Sequence, residues 1–252
     1  MTEIITGQRR VDMRPSVIAL GLALVAVSVG AVVTTGSLAI LGRGSNAAPV
    51  VGMAIVALLV GLQGARTDCG WNAAIRLAGK PGQSEVTILV HSVGLVLGAL
   101  TTATVLMALA LWIQVPAVVV GLLLLVLAPF RIARPMSVAP GGWKVRREWE
   151  RWGTTRYMAV FGWFLGLGFV TTMASPLFVV CALWALSQGH WAVAVFTFLA
   201  FAVGRLTTTV ATTFDESFAC DTSAADKIVR AVSPLGIIEG IAGAATGVLM
   251  LI

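Results

Sequence analysis

The sequence is poor in charge. Only 11% of its 252 residues are Asp, Glu, Lys or Arg, against about 25% in a soluble domain. That is too little polar surface to cover a water-exposed globule of this size. An ordinary soluble enzyme and a disordered chain are both excluded. Chemical motifs are missing as well. The three cysteines, Cys69, Cys181 and Cys220, form no CxxC pair and no zinc spacing. There is no Walker motif, no HExxH and no nucleophile elbow. A haem held by two histidines would need His91 and His190, which fall toward opposite faces of a membrane. No cofactor or metal is expected, and an enzyme is the less favoured class. A lipid-acting enzyme would have only Asp215, Glu216 and Asp221 near one surface.

What the chain does have is apolar length. Its apolar fraction is 58% and its mean hydropathy +0.95. The fold class this predicts is all-α, a polytopic membrane helical bundle in contact with a lipid bilayer. The net charge of +6 would suggest nucleic acid in a soluble protein. In a membrane protein it follows from basic loops on the cytoplasmic side, so no nucleic-acid partner is expected.

Seven transmembrane helices are expected. Uncharged runs cover Val17–Leu41 and Ala47–Ala65. A further run without formal charge, Val86–Phe130, is too long for one helix. Pro116 divides it into Val86–Ile113 and a short Pro116–Phe130 segment. Then follow Tyr157–Leu186 with Pro176 inside it, Trp191–Thr213, and Ala231–Ile252. The polar tail 1–16 carries Arg9, Arg10 and Arg14, and the run after it is too long for a signal peptide. With seven crossings every strongly basic segment falls on one side. The N-terminus is then cytoplasmic and the C-terminus outside, in a bacterial cytoplasmic (inner) membrane.

The chain weakly repeats itself. Val33-Thr34-Thr35 matches Val170-Thr171-Thr172, and Val60-Gly61 matches Val203-Gly204. Gly94 and Gly98 match Gly236 and Gly240. The matches are nearly collinear. They suggest a parallel 3+1+3 internal repeat: a first three-helix unit over 17–113, a linker helix over 116–130, and a second unit over 157–252. In repeats of this kind substrate sites lie between the halves. Glycines four residues apart, such as Gly94/Gly98 and Gly162/Gly166, favour close helix packing.

A few polar residues stand inside the apolar runs. Arg205 lies mid-span, where a charge costs about 3 kcal/mol on insertion scales. Glu239 is the expected opposite charge, and the alternative is that Arg205 snorkels to the interface. His91 is a candidate proton relay or an interfacial residue. Thr34, Thr35, Thr171 and Thr172 could line a polar path or bond back to their own helices. Pro176 interrupts a helix and frees a backbone carbonyl.

The basic loop 131–156 interleaves Trp143, Arg146, Arg147, Trp149, Arg151 and Trp152. It suggests an amphipathic helix at the membrane interface, or a docking surface for a protein partner. Two functions follow as expectations. One is a transporter or channel-like protein moving a small solute or ion between two three-helix halves. The other is a non-catalytic integral subunit scaffolding a larger membrane complex for secretion, conjugation, export or respiration. Homo-oligomer and hetero-complex both remain open.

Overall fold

The computed structural model describes residues 47–67, 84–133, 147–213 and 234–252. Within them lie seven α-helices and no strand. They are α1 (Ala47–Leu62), α2 (Ser84–Ala110), α3 (Ala117–Ala133), α4 (Thr154–Leu167), α5 (Leu177–Gln188), α6 (Trp191–Thr213) and α7 (Leu235–Leu251). Short 3-10 turns occupy Gln63–Arg66 and Arg147–Trp152.

The seven apolar spans of the sequence are only partly matched. Among the described residues, two helical stretches are long and apolar enough to cross a membrane, Val86–Ala110 and Trp191–Ala211. Helices α1, α3, α5 and α7 are apolar but shorter. The expected first span, Val17–Leu41, lies outside the described residues. The expected fifth span is not one helix. It breaks into α4 and α5, because the chain leaves the helix at Gly168, whose φ of 72° suits glycine. The Phe178 ring fills the space where a Cβ at Gly168 would stand. Pro176 then starts α5 with a helical φ of −67°. A second correction concerns Arg131. Grouped by sequence with the basic loop, it is instead in the last turn of α3 and buried.

Small residues set the packing. A Cβ at Gly94 or Gly98 of α2 would strike the carbonyl oxygen of Ala159 or Trp163 in α4. One at Gly162 or Gly166 of α4 would strike that of His91 or Leu95 in α2. The two helices therefore touch backbone to backbone, along the glycine pairs that the sequence spacing pointed out. Their contacts advance in the same direction, so α2 and α4 run parallel. Helices α3 and α7 run antiparallel, with Gly121 beside Gly247 and Arg131 beside Gly236. So do α1 and α7, with Gly52 beside Thr246 and Gln63 beside Glu239. Helix α6 sits centrally against α1, α2 and α5.

The core is apolar, and much of the outer face is apolar as well. Large apolar side chains face outward, among them Ile55, Val93, Leu97, Leu122, Val126 and Ile241. Gln63, His91, Arg131, Ser175, Arg205 and Glu239 are buried.

Candidate functional site

The helix break is the centre of the site. At the end of α4 the last carbonyls have no helical partner. Arg205 Nη1, from α6, donates to Leu165 O at 3.1 Å. Thr102 Oγ1, from α2, donates to Leu167 O at 2.9 Å. A cation at a helix C-terminus is also favoured by the helix dipole. The guanidinium further reaches Thr67 Oγ1 at 3.4 Å and Met173 Sδ at 3.9 Å. It lies 5.6 Å from the Phe201 ring centroid. Arg205 is thus tied to the end of the 3-10 turn that follows α1, the end of α4 and the break, and is buried rather than snorkelling to a surface.

At the start of α5 the sign is reversed. Ser175 Oγ accepts the Leu177 N–H at 3.2 Å. Its own proton is donated to Glu239 Oε1. Glu239 Oε2 accepts from Gln63 Nε2 and from Arg131 Nε at 3.1 Å. Arg131 Nη2 closes the ring by donating to Gln63 Oε1. The carboxylate thereby gathers α1, α3, α5 and α7 at one point. The side chains of the ion pair are 1% and 0% exposed. Such a pair is tolerated because each charge has its counter-charge and further hydrogen bonds.

The two halves of the broken helix therefore face buried charges of complementary sign. The carbonyl end of α4 meets Arg205, and the amide end of α5 meets Glu239 through Ser175.

No family model matches the chain, and neither a curated protein nor a solved structure matched it in comparison.

The pairing expected from sequence is not made. Glu239 bonds Arg131, not Arg205. Pro176 lies at the break, as its position inside an apolar run suggested. Thr171 is buried in the break and Thr172 half-buried. His91 is buried in α2, with Nδ1 3.1 Å from Met158 O. Among the described residues, His91 Nε2, Thr171 Oγ1 and Trp184 Nε1 are buried side-chain atoms without a hydrogen-bond partner. Other hydroxyls take the local option: Thr101, Thr104, Thr197 and Thr246 each bond the carbonyl four residues back. Thr34 and Thr35 lie outside the described residues.

In the basic loop, Trp143 and Arg146 also lie outside the described residues. Arg147 opens the 3-10 turn that ends at Trp152, and Arg151 is exposed. Trp149 stacks on Trp152 with ring centroids 5.3 Å apart and leans on Phe164 of α4 at 5.6 Å. That tryptophan pair is docked on its own chain. Among the described residues, no three His, Cys, Asp or Glu side chains converge as metal ligands would.

Gln63, Arg131 and Ser175 were not singled out as site residues from sequence. One signal existed for Gln63, an amide at the end of an otherwise apolar run. Ser175 stood out only as the neighbour of Pro176. Arg131 gave no signal, because a basic residue after an apolar run is the ordinary mark of a loop.

Proposed function

We propose that this chain is a small integral membrane transporter or channel-like protein whose path passes the break between α4 and α5. The observation that carries this reading is the broken helix, with Arg205 at one broken end and Ser175–Glu239 at the other. Interrupted helices build solute and ion sites in transporters, because their free ends supply oriented carbonyls and amides away from lipid.

The outward apolar faces support a bilayer location, since lipid makes no demand for polar surface. Trp112, 87% exposed, ends the α2 side, and Trp152, half exposed, belongs to the segment entering α4. Tryptophan at both ends of a bundle suits the two headgroup layers. The parallel α2/α4 and antiparallel α3/α7 and α1/α7 pairs fit alternating crossings; the bacterial cytoplasmic membrane and a cytoplasmic N-terminus are proposed from the basic segments of the sequence alone. The 3+1+3 repeat draws support from α1 and α6. Gly61 meets Phe201 O, and Gly204 meets Leu58 O, reciprocally. The contacts of α2 with α6 and of α7 with α1 would be partners under the same relation.

The test is reconstitution of the full chain into liposomes and a flux screen with small anions, cations and neutral solutes. Flux above protein-free liposomes is expected. Glu239→Gln and Arg205→Ala should reduce it. If both variants transport as the wild type does, the break is not the path.

A second reading, the non-catalytic subunit of a larger membrane complex, is favoured by one observation. The α2–α3 turn exposes Leu111 and Trp112 at 82% and 87%, next to Ile113. Native mass spectrometry of gently extracted protein decides it. A reproducible complex with other chains supports the subunit, and a free monomer or homo-oligomer removes it.

A further inference from the structure

We propose that the Arg131–Gln63–Ser175 cradle is a binding site for a small monovalent anion, and that Glu239 is its tethered resting occupant. This rests on the transporter reading and gives that path its substrate class. The cradle is a set of donors from three separate elements converging on one carboxylate. Arg131 Nε and Gln63 Nε2 point at Oε2, and the Ser175 hydroxyl points at Oε1. Ser175 Oγ also accepts the Leu177 N–H, which anchors the hydroxyl beside Oε1.

Charge conservation then restricts what can pass. Arg131 sits in α3 with its side chain 1% exposed, and a buried guanidinium stays charged. It needs a negative partner beside it at all times. At rest Glu239 supplies that charge. A neutral or cationic solute displacing Glu239 would strand Arg131. An anion would not, provided Glu239 takes up a proton as it leaves. The balance is one anion in, one proton onto Glu239, and no net change of charge in the cluster. The charged or titratable groups near Glu239 are few among the described residues. They are Arg131 from α3 and Cys181 from α5, while the 3-10 turn after α1 contributes only the neutral Gln63. Among the described residues no second acid shares the site. Glu239 therefore couples the anion to the proton.

The test uses the full chain in liposomes carrying an internal pH dye, with potassium and valinomycin clamping the potential. Chloride and nitrate gradients are the probes. In the wild type, either gradient should drive proton movement. Glu239→Gln keeps the side chain's shape and one acceptor oxygen but cannot ionise. It should carry anions more slowly than the wild type and move no proton with those it carries. Arg131→Ala should lose both anion flux and proton movement. Should Arg131→Ala fail to elute as a folded species, Arg131→Lys replaces it, and slowed flux with coupling retained is expected. If Glu239→Gln still moves protons under a chloride gradient, the coupling role is overturned. If the wild type carries cations or neutral solutes but neither anion, the anion class is overturned while the transporter reading stands. If no solute moves at all, both fall together.

Discussion

Arg131 and Glu239, on helices that run antiparallel, meet through a 3.1 Å contact between Nε and Oε2 in the interior of the bundle. Neither charge reaches solvent, and Gln63 bonds both partners.

Removing one member should cost far more than removing both. Glu239→Ala or Arg131→Ala strands a buried charge, and about 3–5 kcal/mol of stability should be lost. The double substitution Arg131→Met with Glu239→Leu should recover most of that loss. Thermal unfolding of the purified protein in one detergent, read as a double-mutant cycle, gives the coupling. Additive single losses would mean that the pair does not form.

Arg205→Lys should behave more like Arg205→Ala than like the wild type. An ammonium presents its three N–H groups from one nitrogen, whereas Arg205 reaches Leu165 O and Met173 Sδ from Nη1 and Thr67 Oγ1 from Nη2. Leaving one buried carbonyl unpaired costs about 1–3 kcal/mol. Hydrogen exchange should rise at the end of α4 and across 168–176 in both variants. Unchanged protection in Arg205→Lys would show that charge alone holds the break.

Gly98→Ala and Gly166→Ala should each destabilise the α2/α4 contact by about 1–3 kcal/mol. Their neighbours are backbone, Trp163 O and Leu95 O, and backbone cannot rotate aside. Gly121→Ala is the control, since its nearest neighbour stands at 3.2 Å and two of the three atoms are side chain. It should melt closer to the wild type. Equal losses at all three positions would show that the α2/α4 contact is no closer than α3/α7.

Trp112→Cys and Trp152→Cys should label from opposite sides of the membrane. A membrane-impermeant maleimide added to intact cells should reach the first and not the second. Inverted vesicles should reverse the pattern. Labelling of both from one side would remove the alternating topology.

Much of the helical layout was legible because apolar length is a direct signal. The runs containing α1, α2, α6 and α7 were read within a few residues, and the glycine pairs of α2 and α4 meet as their spacing required. The break was half legible. Pro176 marked its end, but its beginning depends on how the Phe178 ring packs over Gly168, a contact that no local pattern carries. The charge pairing was not legible. Arg205 and Glu239 were the two charges deepest in apolar runs, so pairing them was the economical choice. Arg131 competes for the same carboxylate only because α3 continues past Phe130 and lies antiparallel to α7. Arg205 is satisfied instead by carbonyl and hydroxyl oxygens, a kind of partner that a list of charges does not contain.

The ion pair joins residues 108 positions apart, and its acid comes last. Gln63, Arg131 and Ser175 are all synthesised before α7 exists. Until that helix inserts, Arg131 has a cradle but no counter-charge. The contact that neutralises Arg131 thus waits on α7, and a chain truncated before Glu239 leaves that guanidinium without the carboxylate it bonds here.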